Sequence, residues 1–394
     1  MGNEGFVTFN FGNSARSFVN LATEEYLNFS YEFTFRSHGR SDFKTTAPRG
    51  SGTLVVPVGT YTVTVKAFNG NVLQGFGNVE SFVEVNPGKN TTAFLDMHSA
   101  VEVSDWISLQ DALYAYETGL SGLPRKLYIF LQNSFSTNIN SSMIDVRGVK
   151  YLIAEKNVTI DGSVFGSSSN MFNAGSSAEF HLGTEDMTGT ITIKGRNNAS
   201  GALIAVNMGE VYLYSGVTLR DNISSTLPFN DNGGAVFVNG GKFFMFGGTI
   251  TNNRPFMNGG GVFVSGGAEF NMFGGVISGN TTWNGGGVFG EANSIISMYG
   301  GEISGNTATL RGGGVLIIRG DFEKTGGIIY GSSSGSKSNN ALNGNNLPEP
   351  CHAIIYVFQQ TSQEIFGYRN STVSDNISVT ASGVYTGLWD LYGY

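Results

Sequence analysis

The sequence is short of the residues that usually cross-link, stiffen or charge a protein. It has one cysteine, Cys351, so no disulfide can form within the chain. Its 8 prolines are too few for collagen or a proline-rich linker, and charged residues amount to 13% against a usual ~25%. No run approaches the ~20 apolar residues of a membrane helix. These shortages exclude a disulfide scaffold, a collagen-like fibre and a helical membrane protein.

The net charge of the chain indicates which partners it can bind, and its first residues and composition indicate its cellular compartment. The net charge is −8 and no basic run occurs, so nucleic acid is not expected as a partner. The start of the chain, MGNEGFVTFNFGNSARSFVN, lacks the basic and apolar regions of a signal peptide. Low charge with abundant Asn, Ser, Thr and Gly is nevertheless typical of exported bacterial β-proteins. We therefore expect a secreted or outer-surface anchored monomer whose leader is absent from this sequence.

Glycine is abundant instead, and it occurs in repeats. The chain has 57 glycines among its 394 residues, so its glycine fraction is about twice the usual ~7%. Asn232-Gly-Gly-Ala-Val-Phe-Val recurs in similar form at Asn258, Asn284 and Arg311, at a nearly constant step of about 26 residues that is typical of repeat architectures. A second signature keeps this period, at Gly247-Gly248, Gly274-Gly275, Gly300-Gly301 and Gly326-Gly327. An earlier unit aligns at a larger offset, with residues 224–230 as an inserted loop.

Each repeat predicts three short strands separated by Gly/Asn turns. A unit this short cannot bury its own apolar face, so neighbouring units must stack in register. This predicts a right-handed single-stranded parallel β-helix with like residues in columns. The predicted inward columns and an Asn ladder are Val236/Val262/Val288/Val315, Met245/Met272/Met298, Ile250/Ile277/Ile303/Ile329 and Asn222/Asn253/Asn280/Asn306.

The chain before the repeats follows another pattern. Within residues 54–68, Tyr61, Val63 and Val65 alternate with threonines, which predicts antiparallel strands. We expect a small antiparallel β-sandwich over residues 1–99 and the β-helix over 100–394. Residues 105–118 predict an amphipathic helix with an Asp N-cap and apolar residues on one face. We expect this helix to cap the N-terminal end of the β-helix.

The segment NGGGVFVSGGAEFNMFGGVISGN resembles the glycine-rich β-helix repeats of bacterial surface proteins in the pectin-lyase-like superfamily. The tail from Tyr368 also resembles the ending of such chains. The segment VPVGTYTVTVKA resembles the immunoglobulin-like or transthyretin-like modules that precede adhesive domains in surface proteins of Bacteroidetes and spirochaetes, which implies such a module over residues 1–99. The resemblance covers about residues 100–394 and implies the fold. The resemblance also implies a function related to that of adhesins, lipoproteins, autotransporter passengers or immunoglobulin A protease-like proteins.

Sequence motifs for catalysis are missing. The Gly-His-Gly and Arg-x-Lys strings of hydrolases on this fold do not occur, nor do His-Glu-x-x-His or Gly-x-Ser-x-Gly. The four histidines lack metal-ligand spacing. A paired-carboxylate site would need column-mates such as Glu269 and Asp221. A lyase would be placed best around the inserted loop, with Arg220, Asp221, Asp231 and Arg254. We predict no catalytic residue, no metal and no cofactor.

Outward aromatic residues are the remaining candidates. One row, Tyr214, Phe246, Phe273 and Tyr299, follows the second strand of successive units. The other, Phe237, Phe263 and Phe289, lies in the first strand and has the opposite parity to the inward valines. Exposed apolar rows usually mark a contact surface. The alternative is that successive rings stack on each other and serve stability alone. The predicted ligand-binding residues are Tyr214, Phe246, Phe273, Tyr299, Phe237, Phe263 and Phe289, and Tyr212 and Phe244 add to the first row.

Two functions therefore stay open. The first is a non-enzymatic, adhesin-like surface protein that binds a glycan or a protein partner along the β-helix flank. The second is a polysaccharide lyase or glycoside hydrolase with an unrecognised site. The missing motifs favour the non-enzymatic protein.

Overall fold

The computed structural model describes most of the chain: residues 4–10, 29–48, 53–79, 81–115, 126–137, 143–165, 170–197, 200–224, 232–332, 334–342, 352–360, 363–369, 371–382, 384–387 and 390–393. The fold is all-β: among the described residues, 56% lie in strands and 4% in helices. It divides into two compact units, residues 1–103 with 116–130, and residues 104–115 with 131–394.

The first unit is built of paired strands. The strands are β1 (Glu4–Asn10), β2 (Phe29–Arg36), β3 (Phe43–Pro48), β4 (Thr53–Pro57), β5 (Gly59–Asn69), β6 (Val72–Val79), β7 (Val83–Val85) and β8 (Asn90–Val103). Pairing is antiparallel for β1–β4, β2–β3, β2–β5, β5–β6, β5–β7 and β6–β8, whereas β1 and β8 are parallel.

The side chains of β5 alternate between core and surface. Tyr61, Val63 and Val65 are buried, and the threonines between them are half-buried, as the sequence predicts. Phe9 and Phe35 are fully buried in the same core and pack edge to face at 5.9 Å. Strand pairing and alternation are thus confirmed here, while the sandwich and its boundary at residue 99 stay predictions.

One α-helix precedes the repeats. Helix α1 (Trp106–Tyr114) is shorter than the predicted 105–118, and residues 116–118 lie outside the described part of the chain. The Asp105 side chain accepts from the Ser108 backbone N–H at 2.8 Å, which confirms the predicted N-cap. Trp106 packs edge to face on Phe165 with ring centroids 5.8 Å apart. The role of α1 as a cap stays a prediction.

The second unit contains a parallel β-solenoid of about 8 turns. Its handedness stays a prediction. Strand β9 (Lys126–Leu131) crosses from the first unit into the second. The following strands are β10 (Phe135–Ser136), β11 (Ile144–Val146), β12 (Val149–Ala154), β13 (Val158–Asp161), β14 (Phe172–Ala174), β15 (Glu179–Leu182), β16 (Ile191–Lys194), β17 (Ile204–Asn207), β18 (Glu210–Leu213), β19 (Val217–Arg220), β20 (Val236–Asn239), β21 (Lys242–Met245) and β22 (Thr249–Thr251).

The later coils add a short fourth strand and end in antiparallel strands. These strands are β23 (Val262–Ser265), β24 (Glu269–Met272), β25 (Val276–Ser278), β26 (Thr281–Asn284), β27 (Val288–Gly290), β28 (Ile295–Met298), β29 (Glu302–Ser304), β30 (Thr307–Arg311), β31 (Val315–Ile318), β32 (Asp321–Lys324), β33 (Ile328–Ile329), β34 (Asn340–Ala341), β35 (Ile354–Gln360), β36 (Gln363–Arg369), β37 (Ile377–Val379), β38 (Tyr385–Thr386) and β39 (Asp390–Gly393). A 3-10 helix spans Gly335–Lys337.

Four sheets run along the solenoid. The first is β10-β13-β16-β19-β22-β25-β29-β33, and the second is β11-β14-β17-β20-β23-β27-β31-β35, extended by antiparallel β36 and β39. The third runs β12-β15-β18-β21-β24-β28-β32 and is extended by antiparallel β37 and β38. The fourth contains only β26, β30 and β34 among the described strands.

The register confirms every predicted inward column. Val262 pairs with Val236 and Val288, and Val288 pairs with Val315. The methionine and isoleucine columns pair in the same way in the third and first sheets. All members are at most 3% exposed, so the columns form the interior of the solenoid.

The predicted Asn ladder is present and is longer than predicted. Asn280 Oδ1 accepts from the backbone N–H of Asn253 at 2.9 Å and from its amide at 3.0 Å, and Asn306 repeats both bonds to Asn280. Asn339 continues the ladder beyond Asn306. Each amide therefore joins two coils in the buried corner.

Glycine at the second corner is required by the backbone. Gly275 has φ +87°, and a Cβ there would lie 2.7 Å from the Gly248 carbonyl oxygen. The Gly-Gly pairs therefore serve as corners between the second and third strands of a coil, as the repeat predicts.

Two lysines, Lys150 in β12 and Lys324 in β32, lie in the solenoid interior. Lys150 pairs in register with Phe180 of β15, and Lys324 lies between Met298 of β28 and Ile377 of β37. Both are fully buried. Lys150 Nζ donates to the Ala115 carbonyl at 2.6 Å and Lys324 Nζ to the Asp375 carbonyl at 2.9 Å.

Candidate functional site: an aromatic flank on the third sheet

The outer face of the third sheet carries two neighbouring columns of rings. In the first column Tyr151, His181, Tyr212 and Phe244 occupy paired positions in β12, β15, β18 and β21. In the second, one ring follows each of β18, β21, β24 and β28 at the corner. We call these eight residues the aromatic flank: Tyr151, His181, Tyr212, Tyr214, Phe244, Phe246, Phe273 and Tyr299.

Successive rings of the flank stack face to face. In the second column the ring centroids of Phe246 and Phe273 are 5.0 Å apart with planes at 12°, and those of Phe273 and Tyr299 are 4.9 Å apart at 18°. Tyr214 and Phe246 stack at 5.5 Å. These spacings follow the ~4.8 Å separation of parallel strands and lie in the favourable range for aromatic pairs. Stacking between coils is thus part of what the flank does.

The stacking also decides which part of each ring a ligand meets. Phe246, Phe273 and Tyr299 are 41%, 43% and 44% exposed, and Tyr214 is half-buried. Since the ring faces cover one another, the exposed atoms are mainly at ring edges. The flank is therefore a ridge of aromatic edges.

A polar network ties the first column together. The imidazole of His181 lies between the rings of Tyr151 and Tyr212, with centroids 4.0 and 4.3 Å away. Its Nε2 lies 2.7 Å from Glu179 Oε1, and its Nδ1 lies 3.2 Å from the Tyr214 hydroxyl. In a neutral imidazole that donates to Glu179, Nδ1 accepts from Tyr214.

The two tyrosines of this network hold their protons firmly. Burial, and then the hydrogen bond to Glu210, raise the pKa of the Tyr212 phenol far above its ordinary value. Burial and the charges of Glu185 and Glu179 raise the pKa of Tyr214 as well. Both phenols therefore remain hydrogen-bond donors at neutral pH.

The second predicted aromatic row is not exposed as expected. Phe263 and Phe289 have the outward parity but are only 3% and 4% exposed, and Phe237 is half-buried. Their rings stack at 5.4 and 5.3 Å and belong to an apolar cluster with Leu316 and Ile355. Phe263 and Phe289 therefore cannot serve as an accessible surface, because side-chain parity identifies a sheet face but not what packs against it.

The acidic residues considered from the sequence are separated. Glu269 pairs in register with Lys242, whose Nζ is 3.7 Å away, and is not a column-mate of Asp221. Asp221 forms a salt bridge of 2.9 Å with Arg220. Asp231, Cys351 and most of the inserted loop lie outside the described residues.

The described ranges contain neither a group of metal-ligating side chains nor a membrane-spanning helix. Within these ranges no group of three or more His, Cys, Asp or Glu side chains is placed to hold a metal ion. In the same part of the chain, no helix has the length and apolarity needed to cross a membrane.

Sequence reasoning found Tyr212 and Phe244 of the first column but missed Tyr151 and His181. Tyr151 and His181 lie in early coils that are longer than the repeats from Asn232 onward, so their alignment with Tyr212 is not visible in the repeat pattern. From the sequence, His181 is a candidate only as a metal ligand without suitably spaced partners. Its position two residues after Glu179, like that of Tyr212 after Glu210, is the available sequence signal.

Comparison with known proteins adds no assignment. No protein-family model matches the sequence, and neither a curated protein nor a solved structure is similar to it. The function must therefore be inferred from the geometry of this chain.

Proposed function

We propose that the protein is a non-enzymatic, adhesin-like surface protein whose aromatic flank binds a protein partner through apolar side chains. The observation that carries the proposal is the exposed row Phe246, Phe273 and Tyr299, which continues over three coils. Contiguous exposed apolar surface on a soluble protein usually marks an interaction site. Its secretion or surface anchoring, and its place among pectin-lyase-like surface proteins, belong to the same proposal.

The orientation of the rings favours a protein over a glycan at this flank. Sugar rings bind aromatic side chains by lying on ring faces, and both faces of Phe246 and Phe273 lie against neighbouring rings. Aromatic edges instead pack well against aliphatic and aromatic side chains of another protein.

Charges beside the row indicate the polarity of the partner. The outer column of the same sheet contains Glu179, Glu210 and Glu269 with one opposing Lys242. A partner with an apolar centre and basic residues on one side is complementary to this arrangement.

The proposal is tested by the double variant Phe273→Ser/Tyr299→Ser. The matched control is Phe82→Ser/Phe94→Ser, which removes two aromatic side chains that are 72% and 66% exposed elsewhere. We expect the flank variant to lose adherence of the purified protein to cells, with the control unchanged. Protease treatment of the cells should abolish adherence and glycosidase treatment should not.

Two other outcomes would support a glycan ligand or a purely structural role of the rings. Adherence removed by glycosidase alone would assign a glycan to the flank. Wild-type adherence of the flank variant, combined with a lowered melting temperature, would show that the rings serve stability only.

A second candidate function rests on the chain Glu179–His181–Tyr214. This carboxylate, imidazole and phenol are connected as the members of an acid-base relay are, which favours a polysaccharide lyase or hydrolase. The raised pKa of Tyr214 keeps its phenol protonated, which disfavours it as the base that a lyase needs. Turnover of a polysaccharide panel by the wild type, lost in Tyr214→Phe, would establish this function.

A further inference from the structure

The phenol of Tyr214 is hydrogen-bonded to a base. Its hydroxyl oxygen lies 3.2 Å from Nδ1 of His181, and Nε2 of the same imidazole lies 2.7 Å from Glu179 Oε1. A carboxylate can only accept hydrogen bonds, so Nε2 carries the imidazole proton and Nδ1 presents its lone pair to the phenol. The phenolic proton of Tyr214 therefore has a base to which it can move.

The imidazole is fixed in this orientation by its neighbours. Its ring lies between those of Tyr151 and Tyr212, with the planes inclined by only 9° and 7°. His181 is 5% exposed, so a proton that it receives stays beside Tyr214. The carboxylate of Glu179 stabilises the imidazolium that such a transfer would form.

A base in this position favours loss of an electron from the phenol. A phenol that has lost an electron is a strong acid, so oxidation is much easier when the proton leaves in the same step. Water is a weak base and accepts this proton poorly, whereas a hydrogen-bonded imidazole accepts it readily. The arrangement is thus suited to coupled transfer of one electron and one proton.

Two other tyrosines of the aromatic flank differ from Tyr214 in this respect. The Tyr212 hydroxyl donates to Glu210, and a carboxylate is a weaker base than an imidazole. Tyr299 is 44% exposed and lies three coils further along, where water can accept its proton. Tyr214 is therefore the phenol of these three that is easiest to oxidise.

The surroundings of Tyr214 also protect the radical that oxidation would produce. The side chain is half-buried, and its ring stacks on Phe246 with centroids 5.5 Å apart. Two phenoxyl rings must meet directly to couple with each other, and this packing hinders such a meeting. The oxidation can therefore be reversed by a reductant.

We propose that Tyr214 is a redox-active tyrosine that gives one electron to a diffusible one-electron oxidant, such as a metal-centred oxidant or a peroxyl radical. The O–H bond of Tyr214 breaks, an N–H bond forms at His181 Nδ1, and the electron reduces the oxidant. The products are a neutral phenoxyl radical and an imidazolium held by Glu179. One electron from a reductant and return of the proton restore the starting pair. This activity is independent of partner binding and needs no polysaccharide.

The test is oxidation of the full chain by photogenerated tris-bipyridyl ruthenium, followed by transient absorption and electron paramagnetic resonance. We expect a phenoxyl radical whose oxygen accepts a hydrogen bond from the imidazolium, seen as a proton coupling that disappears in deuterated water. Tyr214→Phe should remove this signal. Tyr299→Phe removes a phenol of the same flank outside the hydrogen-bonded chain and should leave the signal unchanged.

Two further variants test the role of the base. His181→Phe keeps a ring in the stack but removes the proton acceptor, so we expect the Tyr214 radical to form about a hundredfold more slowly and without the exchangeable coupling. Glu179→Gln preserves a hydrogen-bond acceptor for Nε2 but removes its charge, so we expect formation to slow about tenfold. Circular dichroism verifies that both variants are folded.

Three results would overturn the proposal. The first is a wild-type chain that forms no phenoxyl radical with an exchangeable coupling. The second is a signal that persists in Tyr214→Phe or is lost equally in Tyr299→Phe. The third is radical formation in folded His181→Phe and Glu179→Gln at the wild-type rate.

Discussion

At the scale of single residues, the interior columns determine which substitutions the solenoid tolerates. Val288 is 1% exposed and has a valine directly above and below it. Val288→Asp places an unpaired carboxylate between them, and we expect a loss of about 4 kcal/mol in the free energy of unfolding. Chemical denaturation measures it. Val384→Asp, at a residue that is 65% exposed, should change stability by no more than about 0.5 kcal/mol.

The buried Asn ladder predicts a second residue effect. Asn280 accepts two hydrogen bonds from Asn253 and donates to the Ile250 carbonyl at 3.1 Å, all in a fully buried corner. Asn280→Ala leaves several buried groups unpaired, so we expect about 3 kcal/mol of destabilisation.

A partly exposed Asn provides the matched comparison. Asn258 donates to Asn232 at 3.0 Å and accepts from Asn284 at 3.1 Å, where water can replace the lost partner. Asn258→Ala should cost about 1 kcal/mol in the same denaturation experiment. Equal losses for the two variants would contradict the importance of burial.

Many of these residue contacts can be predicted from the sequence, because stacked repeats place equivalent residues above one another. The Val, Met, Ile and Asn columns follow from the nearly constant repeat step alone. Asn339 was missed because the coil that leads to it from Asn306 is longer than that step. The burial of Phe263 depends on a cluster with Leu316 and Ile355, which no alternation pattern can show.

At the scale of elements, an ion pair joins β29 to the 3-10 helix and makes stability depend on pH. Burial alone would raise the pKa of Glu302, but hydrogen bonds from Lys337 at 2.8 Å and from Ser304 at 2.6 Å outweigh it and lower that pKa. A carboxylate with a lowered folded-state pKa stabilises the fold above its ordinary value of 4.5. This stabilisation is lost as the pH falls through the folded-state pKa.

Glu302→Gln tests this dependence. We expect the variant to melt at a lower temperature than the wild type at neutral pH, with the difference shrinking below about pH 4.5. Glu323→Gln, at an exposed carboxylate of β32, is the control for a general loss of negative charge. A difference between Glu302→Gln and wild type that is constant from neutral to acidic pH would contradict the role of the ion pair.

The candidate sites are element-scale features that the sequence predicts only in part. The row Tyr214, Phe246, Phe273 and Tyr299 is visible in the repeats, but the mutual stacking that turns ring edges outward depends on coil geometry. The contact between His181 and Tyr214 was not predictable, because His181 lies in an earlier coil that the repeat pattern does not align with Tyr214.

At the scale of the whole molecule, each coil pairs only with its two neighbours, so a coil can be removed as a unit. Deleting residues 258–283 removes one full step of the repeat and brings Val236 into register with Val288. We expect a folded solenoid that is shorter by about 4.8 Å along its axis and less stable than the wild type.

Circular dichroism and small-angle X-ray scattering measure this outcome. Deleting residues 258–270 instead removes half a step and places strands of one coil against corners of the next. That chain should fail to fold cooperatively. Equal behaviour of the two deletions would show that the register is not what specifies the solenoid.

The interior lysines of β12 and β32 have a consequence for self-association. Apolar columns open at both ends would let copies join end to end into fibres. Here Lys150 and Lys324 interrupt two of those columns, and each ammonium donates to a backbone carbonyl, of Ala115 and of Asp375. A second molecule that displaced these carbonyls would remove this hydrogen bond and leave the ammonium against hydrocarbon, at a cost of several kcal/mol. We therefore expect the charge inside the solenoid to disfavour end-to-end association of copies.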